Sequence, residues 1–219
     1  GLLTVAALTP PDVEVAYREI ADVTAAGDLE DFDLVGISSF SAQIDEAYAL
    51  ADRYRAVGVP VVLGGLHVSL VPDEAAAHAD AIVLGGAEGA WPRLVADFRA
   101  GRMAPRYQGM TDGVFEPGAY AQPRFDLLAG RPYNRVTVQT SRGCPRSCEF
   151  CAASLRITDR FQQKPVDRVI AALPAATPGV DHPLSDPAPA HPFCARPWGQ
   201  DSPPAATPAH PPPVPPTGI

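Results

Sequence analysis

The order of segments in this sequence predicts an α/β fold: a parallel sheet wrapped by helices, then a short cysteine-bearing piece, then a proline-rich tail. Three observations carry that expectation. Nearly unbroken apolar runs recur at Asp33–Ser38, Val59–Leu63 and Asp80–Leu84, as strands covered on both faces require. Helical patterns alternate with them, which is the signature of parallel strands joined by crossover helices. Periodicity then vanishes at Pro174, and residues 174–219 hold 15 of the chain's 26 prolines.

The elements follow in order. Leu2–Leu8 reads as a short apolar helix ended by Pro10-Pro11. Val13–Tyr17 alternates as a strand would. After the Asp33–Ser38 strand, Ile44, Ala47, Tyr48, Ala51 and Tyr54 recur at helical spacing, giving a helix over 43–57 with Gly58 at its C-cap. Val59–Leu63 is a second buried strand closed by Gly64-Gly65. Pro72, Asp73 and Glu74 open a helix with proline and acids in the first turn. Asp80–Leu84 is a third strand closed by Gly85-Gly86, and Pro92 opens another helix with Leu94, Val95 and Phe98 on one face. Residues 102–132 read as an irregular linker rich in Gly and Pro. Arg135–Thr140 reads as a strand that runs into the cysteines. Ala152–Leu155 and Val166–Leu173 read as helical. The tail is expected to be disordered, because it cannot bury enough apolar surface to offset its chain entropy.

With 219 residues, 46% of them hydrophobic, the chain can build a sizeable core. A net charge of −8 and a single lysine, Lys164, speak against electrostatic binding of nucleic acid. No apolar run reaches membrane-spanning length, and the opening Gly-Leu-Leu-Thr-Val-Ala-Ala-Leu lacks the basic flank of a signal peptide. A cytoplasmic location is the expectation. The first residue is not Met, and the chain opens inside an apolar stretch.

Cys144, Cys148 and Cys151 fall within eight residues as C-x3-C-x2-C. They stand too close together to cross-link distant elements, and so read as metal ligands in a reducing compartment. Three thiolates on one loop can hold three irons of a [4Fe–4S] cube and leave the fourth iron open to a substrate or cofactor. The alternative is zinc, which ordinarily takes four protein ligands. Its fourth ligand here would be Cys194 or a tail histidine, both remote and poorly held. Cys194 is read as a bystander.

In an open parallel sheet, ligands bind beyond the carboxyl ends of the strands. Three small-residue loops reach that edge: Ser38-Ser39-Phe40-Ser41, Gly64-Gly65-Leu66-His67-Val68-Ser69 and Gly85-Gly86-Ala87-Glu88-Gly89. Each lets backbone approach a bulky ligand closely. The bland alternative is that Gly-Gly only ends a strand. His67 reads more as structural than as a metal ligand, and His78 is given no role.

Together these stretches resemble a known family. Val35-Gly36-Ile37-Ser38, Gly58–His67 and Ala79–Glu88 look like the cobalamin-binding domain of B12-dependent radical S-adenosylmethionine (SAM) enzymes. Thr140-Ser141-Arg142-Gly143-Cys144, with Cys148, Phe150 and Cys151, resembles the start of the radical SAM domain. The resemblance implies a Rossmann-like (flavodoxin-like) cobalamin-binding domain over 1–101 with its first strand missing. It implies a linker over 102–132, the first piece of a radical SAM (β/α) barrel over 133–173, and a proline-rich tail over 174–219. It places cobalamin near Ser38, Phe40, Gly64, Gly65 and Glu88, and SAM beside Phe150. Gly143 is read as the turn from strand into loop. No Asp-x-His-x-x-Gly motif supplies a lower cobalt ligand.

The implied cofactors are therefore a [4Fe–4S] cluster, SAM and cobalamin. The implied partners are a small-molecule substrate and an external electron donor such as a flavodoxin or ferredoxin. The implied reaction is reductive cleavage of SAM to modify an unactivated carbon, by methylation or cyclisation. The barrel residues that would complete such an enzyme do not follow Cys151, nor does the Gly-Gly-Glu-like stretch that helps hold SAM. The chain thus reads as a fragment truncated at both ends. The alternative function is a non-catalytic module that binds cobalamin and iron–sulfur without turnover.

Overall fold

The computed structural model describes residues 1–20, 22–23, 29–109, 121–128, 137–144, 151 and 161–176, all within one contact unit, Gly1–Gly179. The elements are α1 (Leu2–Leu8), β1 (Val35–Ser38), α2 (Ile44–Ala56), β2 (Val61–Gly64), α3 (Leu66–Leu70), α4 (Pro72–Ala77) and β3 (Ala81–Leu84). Then come α5 (Trp91–Arg99), β4 (Arg106–Gln108), β5 (Ser141–Arg142), β6 (Gln162–Gln163) and α6 (Val166–Ala176). Short 3-10 turns form at Ser41–Gln43 and Phe125–Leu128.

Strands β1 to β4 form one parallel sheet in sequence order. β2 shows why the apolar runs are unbroken. Val61 and Leu63 join a core cluster with Ile44, Tyr48, Ala51 and Tyr54 of α2, Val68 of α3 and Ala75 of α4. Val62, between them, joins the opposite cluster with Val83, Leu94 and Tyr107. A strand with helices on both faces has no solvent side, so period-two alternation disappears.

Local chemistry explains the boundaries. α2 carries Asp45 and Glu46 in its first turn and Arg53 and Arg55 in its last, both favourable to the helix dipole. Gly58, at φ +86°, donates its N–H to Arg55 O at 3.0 Å and closes the helix as expected. Pro72 and Pro92 sit in the first turns of α4 and α5. Asp80 Oδ2 accepts the Val61 N–H at 2.8 Å, so the start of β2 is satisfied by a side chain from the loop before β3. On the α5 face, Trp91 Nε1 donates to Thr9 Oγ1 at 2.9 Å, joining α5 to the end of α1.

Three expectations need correction. Val13–Tyr17 is not a strand: Val13, Val15 and Tyr17 are half-buried in alternation but carry no ladder, and β1 is the edge of the sheet. Alternation made the residues strand-like, but no strand among the described residues pairs with them. The segment read as linker from 102 contains β4, which pairs with β3 through Val83↔Tyr107. Only Tyr107 of its three residues is buried, which leaves no periodic signal. Near the cysteines, residues 137–140 form no strand, and pairing begins at Ser141. Residues 135–136, Ala152–Leu155 and residues 177–219 of the proline-rich tail lie outside the described residues, whereas residues 174–176, expected to begin that tail, close α6. Among the described residues, no helix is long and apolar enough to cross a membrane.

Candidate cofactor site

The carboxyl ends of β1, β2 and β3 place the three small-residue loops side by side. Register pairs Ser38 with Gly64, and Gly64 with Val83. The loops are also bonded to each other. Ser69 Oγ donates to Gly65 O at 2.9 Å and accepts the Gly85 N–H at 2.9 Å, tying the turn after β2 to the turn after β3.

Gly65 is the conformational key to this edge. Its φ of +102° and ψ of −171° lie where only glycine is at ease. A Cβ built there would stand 2.7 Å from Ser38 Oγ, so the missing side chain is what lets the two loops close on each other. Phe40 is 77% exposed at the same edge. An apolar ring in that position offers a ligand a stacking surface. Four of the sequence-predicted cobalamin residues, Ser38, Phe40, Gly64 and Gly65, thus sit on the adjoining ends of β1 and β2.

Beside them His67 is fully engaged. Its Nδ1 lies 3.0 Å from Ser41 Oγ and its Nε2 3.4 Å from Glu74 Oε1. Tyr48 donates to the same Glu74 oxygen at 3.0 Å and stacks on His78, rings 4.3 Å apart. His78 Nδ1 meets Asp52 Oδ2 at 2.8 Å. Burial first, then the bond to Glu74, push the Tyr48 phenol up to about 12. Hydrogen bonds from Tyr48 and His67 hold the Glu74 carboxyl below its usual range. With both ring nitrogens of His67 occupied, the structural reading of this histidine fits better than a metal-ligand role.

Glu88, the fifth predicted residue, sits in the loop after β3 and faces the cysteine segment. Arg142 Nη2 donates to Glu88 Oε1 at 2.6 Å, across 54 residues of sequence. The Glu88 side chain is 7% exposed. Burial raises its carboxyl, but the hydrogen bond and charge of Arg142 outweigh that and hold it below its ordinary value. Its second oxygen, Oε2, is buried with no partner among the described residues. Gly86 makes room for it: a Cβ there would lie 2.8 Å from Oε2. Sequence reasoning quoted Arg142 within a motif but gave it no role, and no local signal connects it to Glu88.

Arg142 belongs to β5, whose pairing with β6 is antiparallel: Ser141↔Gln163 and Arg142↔Gln162. Lys164 extends this by donating its N–H to Thr140 O at 2.8 Å. The two strands pin both ends of the segment that contains all three cysteines. Burial and the Arg142 charge push the Lys164 ammonium below its ordinary value. Gly143, at φ +76°, turns the chain out of β5 into the cysteine loop, as expected. Cys144 and Cys151 are both half-buried. Cys148 and Phe150 lie outside the described residues, and no group of three potential metal ligands forms among the described ones.

What the residues present can accept is clear in outline. The edge of β1–β3 has glycine turns, hydroxyls, an exposed aromatic and an orphaned buried carboxylate oxygen, which can meet a ligand that carries hydrogen-bond donors. Two thiols delivered from one pinned loop, with a third between them in sequence, form a soft donor set suited to iron–sulfur.

Residues 4–95 match the family described as the B12 binding domain. The chain is 36% identical over 162 residues to bacteriochlorophyllide d C-8(2)-methyltransferase of Chlorobaculum tepidum, covering 69% of this chain and 34% of that protein. It is 26% identical over 176 residues to bacteriochlorophyllide d C-12(1)-methyltransferase of the same organism, covering 78% and 38%. Hopanoid C-2 methylase of Rhodopseudomonas palustris is 29% identical over 154 residues, covering 69% and 29%. The chain thus spans about a third of the length of these curated relatives. A solved radical S-adenosylmethionine methyltransferase, TsrM from Kitasatospora setae, with cobalamin and a [4Fe–4S] cluster bound, aligns with a TM-score of 0.47 and 16% identity, covering 66% of this chain and 35% of that one.

Proposed function

We propose that this chain, whose relatives are cobalamin-dependent radical SAM methyltransferases, forms the cobalamin-binding and cluster-binding portion of a methyltransferase acting on an unactivated carbon of a small molecule. Ser38, Phe40, Gly64 and Gly65 receive the cobalamin, with Glu88 beside it. Cys144, Cys148 and Cys151 hold a [4Fe–4S] cluster, and Phe150 packs against SAM. Bound together, these groups supply one-electron cleavage of SAM and a methyl carrier. An external donor such as a flavodoxin or ferredoxin supplies the electron.

The chain's own residues act by placement. The Gly65 turn and the Ser69 bridge hold the loop ends flush, so a flat ligand can lie against backbone. The β5–β6 ladder presents the cysteine loop from two fixed ends. The observation that carries the reading is the Arg142–Glu88 pair, because it joins the strand leading into Cys144 to a loop of the B12-matching segment.

The alternative reading is a module that binds both groups without turnover. Anaerobic reconstitution with iron and sulfide, followed by SAM and a reductant, separates the two. Release of 5′-deoxyadenosine is the outcome expected of the enzyme. A cluster without that product supports the module, and tight zinc with no cluster overturns both.

A further inference from the structure

The two oxygens of the Glu88 carboxylate are unequally served by side chains. Oε1 is held by Arg142 at 2.6 Å, while Oε2 is buried and unpartnered among the described residues. A buried carboxylate oxygen without a donor is costly, and a donor brought by a ligand relieves that cost. Gly86 lets the carboxylate pack against its backbone, since any Cβ there would stand 2.8 Å from Oε2. Charge selects the kind of donor. Arg142 already balances the carboxylate, so a neutral N–H suits the second oxygen better than another cation. The rim of a corrin ring carries primary carboxamides, which are neutral N–H donors.

We propose that Glu88 is a two-ended bridge: Oε2 accepts an N–H from a propionamide of the corrin rim while Oε1 stays on Arg142, so that corrinoid occupancy orders β5 and the Cys144 end of the cysteine loop. This rests on the cobalamin reading above and adds an atom-level contact and a route between the two cofactor sites. By linkage, the route runs both ways: whatever orders β5 also favours corrinoid binding.

The test uses the full chain, cyanocobalamin, and its three monocarboxylates, in which one propionamide (b, d or e) is replaced by a carboxylate. A carboxylate set against Oε2 meets like charge at hydrogen-bond distance. One of the three acids is expected to bind the wild type more than tenfold more weakly than cyanocobalamin. In Glu88→Gln, whose amide can donate to the acid, that loss is expected to fall below threefold. Three acids that bind like cyanocobalamin, or losses that persist unchanged in Glu88→Gln, overturn the bridge and leave the cobalamin reading standing. A wild type that binds no cyanocobalamin overturns both. The acid series on wild type decides the matter even where the variant does not fold. Hydrogen exchange at residues 137–144 reads the second end. Saturating cyanocobalamin is expected to slow it in wild type and not in Arg142→Gln; equal slowing in both refutes the route to Cys144.

Discussion

Replacing Gly65 with alanine tests whether the edge of the sheet is held by backbone conformation. The residue's φ of +102° and ψ of −171° fall in a region that alanine enters at a cost of about 1–3 kcal/mol. The new Cβ also stands 2.7 Å from Ser38 Oγ. Ser38 can relieve that contact by leaving its rotamer, for roughly 0.5–1.5 kcal/mol. Against both, alanine restricts the unfolded chain and returns about 0.4–1 kcal/mol. Gly65→Ala should therefore destabilise by about 0.5–4 kcal/mol, set against a typical domain stability of ~5–15 kcal/mol. The assay is urea unfolding followed by circular dichroism, in the wild-type and Ser38→Gly backgrounds. Comparing the two isolates the contact from the backbone strain. In the Ser38→Gly background the penalty should shrink but persist. A Gly65→Ala loss below about 0.5 kcal/mol in both backgrounds would refute the reasoning.

Other predictions concern the scaffold that sets the edge. Leu94→Ala empties a site of 0% exposure on the α5 face and should cost ~2–5 kcal/mol in the same unfolding assay. Asp80→Ala removes the acceptor of the Val61 N–H and should cost about 1–3 kcal/mol, whereas Asp80→Asn, which keeps an acceptor oxygen, should cost less. For Tyr48, the fold favours the neutral phenol, with its value raised from 10.0 to about 12. Its contribution to stability is thus complete below about pH 10 and lost as pH rises through about 12. Tyr48→Phe should flatten that alkaline limb of the stability profile, and an unchanged limb would assign it to another group.

Much of the fold was legible because burial leaves a pattern. Three strands buried between helix layers read as apolar runs, and each lies within two residues of its expected start. α2 read clearly because five of its buried residues recur at helical spacing. What escaped is what neighbours decide. Val13–Tyr17 alternates correctly but finds no strand to pair with, while Arg106–Gln108 pairs with β3 although only Tyr107 enters the core. The site divides the same way. Glycine turns and clustered cysteines announce themselves by residue type and spacing. The Arg142–Glu88 pair does not, because two ordinary charges 54 residues apart acquire meaning only once β5 lies against the loop after β3.

The central claim is that the loops beyond β1, β2 and β3 seat a corrinoid whether or not the cysteine loop holds a metal. Equilibrium titration of hydroxocobalamin into the wild-type chain and into Cys148→Ala tests it most directly, with iron uptake measured in parallel. Saturable binding of one corrinoid per chain in both proteins, with iron uptake lost only in Cys148→Ala, is the predicted result. Absence of saturable binding to the wild type, or its loss together with iron in Cys148→Ala, would contradict the account.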